Sequence, residues 1–289
     1  MSVFKGICTA LITPFIDGEV DYESFAKLID RQIESGINAL LVCGTTGEPC
    51  TLTGEEKMSV INFAVEKINK RVPVIAGVGN NCTRSAVNEV RAVRSLDVDA
   101  ILSVTPYYNK CTQDGLLRHY EEIASCADLP IIVYNVPSRT GMNIMPDTVL
   151  KLCDIKNIVG IKEAGTSITQ CAEILSLCKN KIDLYCGNDS MLLPELVLGG
   201  KGGISVASNV VPEIMCEIAN AFFDNRISAA TQLQLKIIPF LNTLSSEVNP
   251  IPVKAAASLL GLCKNELRLP LTPLENKKIK LICDELYKL

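Results

Sequence analysis

The sequence predicts a (β/α)8 barrel followed by a C-terminal helical appendix, and three observations predict it. Eight short runs rich in Ile, Val and Leu alternate with amphipathic stretches along residues 1–225. Polar, chemically capable residues gather directly after these runs, on what a barrel would present as one rim. Beyond Ala207 the strand signal stops and only helical periodicity continues. Repeated strand–helix alternation is the pattern of a parallel sheet whose crossovers are helices. A doubly wound sheet is the competing architecture, but no G-x-G-x-x-G follows any run. Gly77-Val78-Gly79 lacks the third glycine, and no P-loop is present.

The predicted strands occupy 7–12, 39–43, 73–77, 100–104, 131–135, 158–162, 182–187 and 203–207. Each is short, apolar and bounded by turn residues, as a strand buried on both faces must be. Helical spacing places helices at 22–34, 55–69, 83–95, 115–126 and 169–178. Thr53-Gly54-Glu55-Glu56 reads as a capping box: the threonine hydroxyl accepts from the N–H three residues on, and Glu56 accepts from the threonine's own. Ser35-Gly36 and Leu198-Gly199-Gly200 read as C-terminal stops, where glycine takes the left-handed conformation cheaply. Helical patterns at 213–223, 229–244, 252–260 and 274–288 complete the chain, the first assigned as the eighth barrel helix. The expected organisation is a catalytic barrel at 1–225 with a helical region at 226–289 packed on it.

Composition narrows the function. With 289 residues, 48% of them hydrophobic, the chain can bury a large core. The net charge of −4 comes from interspersed acids and bases, with no basic stripe to track a phosphate backbone and no Trp, which argues against nucleic acid as a partner. No apolar segment reaches membrane-spanning length and residues 1–6 show no signal-peptide pattern, so a cytoplasmic protein with no membrane partner is expected. The thirteen cysteines are scattered, odd in number and free of C-x-x-C. Cys8, Cys43, Cys153, Cys186 and Cys216 lie in apolar runs and read as buried small hydrophobes rather than disulfides or zinc ligands. His119 is the sole histidine, and its helical surroundings at 113–120 make it a surface or packing residue. Chemistry must then come from Lys, Tyr, Thr, Arg or carboxylates.

Lys162 ends the apolar run Ile158-Val159-Gly160-Ile161-Lys162. A lysine there is an ion-pair member, a side chain reaching out to solvent, or a nucleophilic amine, since burial disfavours the ammonium and frees the lone pair to attack a carbonyl. The rim decides between them. It carries Gly44-Thr45-Thr46-Gly47-Glu48, Thr105-Pro106-Tyr107-Tyr108-Asn109, Tyr134-Asn135-Val136-Pro137-Ser138-Arg139-Thr140-Gly141, Gly187-Asn188-Asp189 and Ser205-Val206-Ala207-Ser208-Asn209. Tyr134, Tyr108 and Thr45 could relay the protons that carbinolamine collapse and enamine formation require. The Gly-Thr-Thr-Gly turn offers backbone N–H groups to a small carboxylate, and Arg139 offers a planar fork to a second one. Singly, each has a plainer reading: an ordinary turn, packing aromatics, a surface arginine. Glu163 and Asp189 read as structural hydrogen-bonding groups rather than catalytic acids. Placement on one rim raises the functional reading.

In combination these motifs, with Gly203-Ile204-Ser205-Val206 and Asn249-Pro250-Ile251-Pro252-Val253-Lys254, resemble the 4-hydroxy-tetrahydrodipicolinate (dihydrodipicolinate) synthase family over essentially the whole chain. The resemblance implies a class I aldolase on a (β/α)8 barrel that joins pyruvate to L-aspartate 4-semialdehyde in lysine and diaminopimelate biosynthesis. It implies a homotetramer built as a dimer of dimers, and no metal or organic cofactor. By this resemblance Lys162 forms the Schiff base; Tyr134, Thr45 and Tyr108 form the relay, Tyr108 reaching across the tight dimer interface. Thr46 and the backbone of Ile204 would hold the pyruvate carboxylate, and Arg139 that of the semialdehyde. N-acetylneuraminate lyases and 2-keto-3-deoxy sugar acid aldolases are the nearest alternatives; Ser138-Arg139-Thr140-Gly141 favours the synthases, because a guanidinium suits a carboxylate better than a polyol. A catalytically silent keto-acid sensor and a nicotinamide-dependent reductase are alternatives of other classes; the second lacks its fingerprint.

The chain departs from lysine-inhibited members of that family. Their feedback site would be lined here by Cys50, Gly54, Lys57, Asn81, Ser85 and Tyr107. Gly54 supplies no side chain, Lys57 would repel a lysine cation, and Ser85 stands where a carboxylate could pair with its amine. Weak or absent inhibition by lysine is expected. Pro49 also departs from the small residue usual at its position.

Overall fold

The computed structural model describes residues 2–289. In chain order its elements are β1 (Gly6–Ala10), β2 (Phe15–Ile16), β3 (Glu19–Val20), α1 (Tyr22–Glu34), β4 (Ala39–Val42), α2 (Gly54–Ile68), β5 (Val74–Val78), α3 (Thr83–Val93), β6 (Ala100–Val104), α4 (Gln113–Cys126), β7 (Ile131–Asn135), α5 (Pro137–Thr140), α6 (Pro146–Leu152), β8 (Ile158–Glu163), α7 (Ile168–Cys178), β9 (Asp183–Cys186), α8 (Leu192–Leu198), β10 (Gly202–Ser205), α9 (Pro212–Phe223), α10 (Ile227–Leu244), α11 (Ile251–Leu259) and α12 (Asn276–Leu286). Among the described residues eight strands close a parallel barrel in the order β1-β4-β5-β6-β7-β8-β9-β10, with β10 pairing back onto β1. β2 and β3 form a separate antiparallel hairpin after β1.

Strand alternation divides the core into two layers. Ile7, Leu40, Val42, Ile101, Val133 and Ile161 point outward against the helices. Cys8, Ala10, Leu41, Ile75, Leu102, Ile132, Tyr134, Tyr185 and Ile204 point into the barrel and fill it. Phe4 closes the N-terminal floor: its ring stacks on Tyr185 at 4.3 Å between centroids, and the Tyr185 hydroxyl donates to its carbonyl at 2.9 Å. A site can then open only at the other mouth. Gly77, on β5 at that mouth, lies so close to β4 that a Cβ would fall 2.2 Å from the Cys43 carbonyl oxygen.

The sequence signals hold at the element level. The capping box forms in full, with Glu56 N–H donating to Thr53 Oγ1 at 3.1 Å and Thr53 N–H to Glu56 Oε2 at 2.7 Å. Gly36 and Gly199 take positive φ at +83° and +115° where helices stop. Strand and helix ends differ from the predicted ones by a few residues, because frayed ends carry little periodic signal. The hairpin β2–β3 and helices α5, α6 and α8 were not predicted: each is too short for a periodicity of 3.6 to show, and α8 (LLPELVL) hides its amphipathicity in an almost wholly apolar run. Pro194 fits there because it lies in the first turn, where its missing N–H would have had no helical partner.

Of the cysteines expected inside, Cys8, Cys43, Cys186 and Cys216 are buried. Cys153 is only half-buried, because it caps α6 at the surface. His119 is a packing residue of α4: it is buried edge-on to Tyr120, and its Nδ1 lies 2.9 Å from Thr83 Oγ1. Beyond the barrel, α10 packs on α9, and α12 packs on both α10 and α11. Among the described residues no helix is long and apolar enough to cross a membrane.

Candidate active site

Lys162 and Tyr134 are in register on the adjacent parallel strands β8 and β7, and Lys162 is equally in register with Tyr185 on β9. In-register neighbours point to the same face, so Lys162, Tyr134 and Tyr185 all face the barrel interior. Lys162 is 5% exposed, and its Nζ lies 4.5 Å from the centroid of the Tyr134 ring. Tyr134 in turn lines an open groove of about 590 Å³ at the C-terminal mouth. Lys162 does not itself wall the groove; it lies against a residue that does.

Thr45 and Thr46 sit in the first 3₁₀ turn after β4. The turn is pinned by Gly47 N–H to the Gly44 carbonyl at 2.8 Å and by Thr13 Oγ1 donating to the Gly47 carbonyl at 2.7 Å. Thr45 lines the groove. Thr46 is buried, and its Oγ1 accepts from Asn249 Nδ2 at 3.0 Å. Arg139 projects from α5, is exposed, lines the groove, and donates from Nη2 to the Asn249 carbonyl at 3.0 Å. Ile204 on β10 faces the barrel interior at 1% exposure. The segment after it is clamped by Asp189, whose Oδ2 accepts from the N–H groups of Val206 at 3.0 Å and Ala207 at 2.8 Å. Burial pushes the Asp189 carboxyl up, and those donors pull it back. Glu163 is likewise structural: buried beside β7, it accepts from Asn135 Nδ2, Gln170 Nε2 and Gly165 N–H.

Thr46 and Ile204, like Lys162, are not among the residues that wall the groove, and neither is Tyr108. It is 91% exposed, with φ at +71°, while its neighbour Tyr107 lines the groove instead. Lys57, Cys50 and Tyr107 line one end of the groove, where Lys57 Nζ pairs with Glu89 Oε2 at 2.9 Å. Pro49 opens a second short 3₁₀ turn, Pro49–Thr51, for which its fixed φ is suited. A second cavity of about 570 Å³ lies between α6 and α7, lined by Met145, Thr169, Glu173 and Leu177. It collects none of the rim residues. Among the described residues no cluster of His, Cys, Asp or Glu is arranged to hold a metal ion.

Two groups have a part in this geometry that the sequence reading did not assign. Asn249 touches both Thr46 and Arg139, and Lys254 pairs with Glu48 at the end of the Thr45–Thr46 turn. Both lie some two hundred residues from the turn in sequence, and nothing local to either announces the contact.

The chain is matched over residues 3–287 by the model of the Dihydrodipicolinate synthetase family. A 4-hydroxy-tetrahydrodipicolinate synthase of Alkaliphilus oremlandii is 48% identical over 286 residues, covering 99% of each chain. A solved structure described as a monomeric dihydrodipicolinate synthase variant superposes with a TM-score of 0.98 at 42% identity, over 99% of this chain and 97% of that one. The chloride-inhibited dihydrodipicolinate synthase of Acinetobacter baumannii, solved with pyruvate, gives 0.97 at 41% identity over 99% of each. The in-register lysine and tyrosine, the Gly-Thr-Thr-Gly turn and these full-length likenesses agree: the chain belongs to the dihydrodipicolinate synthetase family.

Proposed function

We propose that Lys162 carries the condensation of pyruvate with L-aspartate 4-semialdehyde as a covalent Schiff base, with Tyr134, Thr45 and Tyr108 as its proton relay. The observation that carries this reading is the in-register pairing of a buried lysine with a groove-lining tyrosine. The Lys162 amine attacks the keto carbon of pyruvate. The resulting carbinolamine loses its hydroxyl as water, taking a proton from the relay, and leaves an iminium. Loss of a methyl proton to the relay gives the enamine. Its carbon attacks the semialdehyde's aldehyde carbon, whose oxygen is protonated to the 4-hydroxyl. The substrate's own amino group then adds to the iminium carbon and expels Lys162, closing the ring. Carbon, nitrogen and proton bonds are exchanged and one water is released; no electron changes hands, so no redox cofactor enters the balance.

In this reading the Thr46 hydroxyl and the Ile204 backbone hold the pyruvate carboxylate, and the Arg139 fork holds that of the semialdehyde. Arg139 supports it by lining the same groove as Tyr134 and Thr45. Tyr108 would come from the partner of a tight dimer, two of which form a homotetramer; its exposure and strained φ on a single chain support this. A cytoplasmic biosynthetic enzyme without a metal fits the reading.

Borohydride added to the protein with pyruvate tests it. A reduced pyruvyl adduct on Lys162 is expected by mass spectrometry and is lost in Lys162→Ala. Turnover with pyruvate and L-aspartate 4-semialdehyde should exceed any cleavage of N-acetylneuraminate or a 2-keto-3-deoxy sugar acid. An unmodified Lys162, or preference for a sugar acid, overturns it.

A further inference from the structure

Asn249 lies just before α11, 203 residues along the chain from Thr46, yet it contacts both groups assigned above to carboxylate binding. Its Nδ2–H donates to Thr46 Oγ1 at 3.0 Å, and its backbone carbonyl accepts from Arg139 Nη2 at 3.0 Å. The direction of the first bond has a chemical consequence. A hydroxyl that accepts from an amide keeps its own proton for another acceptor. The Thr46 proton is thereby free to meet a carboxylate oxygen.

Asn249 Oδ1 is buried with no hydrogen-bond partner among the described residues. A buried unpaired acceptor is unfavourable, and its retention calls for a reason. Two further contacts hold the segment in place: Lys254 pairs with Glu48, and Arg268 N–H donates to Glu48 Oε2 at 3.3 Å. The region after the barrel therefore grips the Thr45–Thr46 turn at two points.

We propose that Asn249 is a positioning residue that sets the two substrates apart: its side chain orients the Thr46 hydroxyl as a donor to pyruvate, while its backbone carbonyl aims Arg139 at the semialdehyde. The proposal rests on the assignment of Thr46 and Arg139 given above. Because the two tasks use different atoms, a side-chain substitution should disturb only one of them. Asparagine and aspartate have nearly the same shape, but a carboxylate can only accept. Asn249→Asp would force Thr46 to donate to it and turn the proton away from pyruvate.

The test is borohydride trapping at increasing pyruvate, read as the concentration giving half-maximal adduct, together with steady-state KM for each substrate. For Asn249→Ala, half-saturation by pyruvate should rise about tenfold, the scale of one hydrogen bond to a charged group. The semialdehyde KM should stay within about twofold, since the carbonyl remains. Asn249→Asp should be worse than Asn249→Ala. In a Thr46→Val background the alanine substitution should add nothing, because the pair acts as a unit. Equal pyruvate binding by Asn249→Asp and wild type, a parallel rise in both KM values, or additivity with Thr46→Val overturns the proposal. Each variant's thermal unfolding, followed by circular dichroism, checks that it folds; should Asn249→Ala not fold, the order of Asn249→Asp against wild type decides. A wild-type protein that pyruvate cannot trap overturns the Schiff-base reading and this one together; a trapped wild type with unmoved variants overturns this one alone.

Discussion

Lys254 on α11 and Glu48 after β4 form an ion pair in which neither side chain is exposed to solvent. The Lys254 ammonium also lies 4.1 Å from the centroid of the Phe15 ring. Burial pushes its pKa below the ordinary lysine value, and the Glu48 carboxylate opposes that shift. The pair ties the C-terminal region to the turn that carries Thr45 and Thr46. Removing one partner of such a pair leaves an uncompensated buried charge. Lys254→Met should therefore destabilise the protein by about 3–5 kcal/mol, read from the denaturant midpoint. Lys254→Met with Glu48→Leu should recover much of the stability but not the activity. A single variant as stable as wild type would count against this account.

Arg139 is exposed and held only through Nη2 to the Asn249 carbonyl, which leaves most of its donors free. Arg139→Ala should lower kcat/KM for L-aspartate 4-semialdehyde about a hundredfold, the loss of a charge-assisted bidentate contact. Pyruvate trapping on Lys162 should be unchanged. Full synthase activity in the variant would remove Arg139 from the site.

Tyr108 is 91% exposed and does not line the groove of its own chain, and the proposal above draws it from a partner. Tyr108→Phe and Lys162→Ala proteins, unfolded together and refolded as a mixture, should regain about a quarter of wild-type activity, the share expected of one intact site per mixed dimer under random pairing. Each alone should be far below that. If mixing restores nothing, the hydroxyl is not supplied across an interface.

Lys57 already spends its ammonium on Glu89 at 2.9 Å inside the groove, beside Cys50 and Tyr107. A bound lysine would meet that cation instead of a carboxylate, with Gly54 and Ser85 offering it little. Inhibition by L-lysine should be weak or absent, and a sub-millimolar midpoint in an inhibition curve would refute this. Lys57→His combined with Ser85→Glu should increase sensitivity.

Two buried groups should make stability depend on pH in opposite senses. Burial pushes the Glu195 carboxyl up to about 7; the thiols of Cys186 and Cys171 oppose this, and the charge of Glu163 adds to it. A raised carboxyl keeps its proton in the folded state after the unfolded chain has lost it, so stability falls as pH rises from about 4.5 through 7. Glu195→Gln should be more stable than wild type above neutrality, by on the order of 3 kcal/mol, and the advantage should vanish at acid pH. Burial pushes the His119 imidazole down to about 4. The unfolded chain takes up that proton first, so stability falls as pH drops from about 6.5 through 4. His119→Phe should flatten the acid side of the profile. Calorimetry across this range checks both, and an unchanged slope in either variant refutes its half.

The sequence by itself determined the barrel, because hydrophobic burial on both faces of a parallel strand writes itself into short apolar runs that any reader can count. It also determined where Lys162, Tyr134 and Thr45 would gather, since a strand's C-terminal end is a position along the chain. What only the tertiary structure decided were the contacts between distant segments. That Asn249 would donate to Thr46, or that Lys254 would neutralise Glu48, depends on how α11 docks against the barrel mouth. Such docking follows from shape and charge in three dimensions, which leave no period in the sequence. Tyr108 marks the same boundary: its place after β6 was legible in the sequence, but its exposure at the surface was decided by the fold.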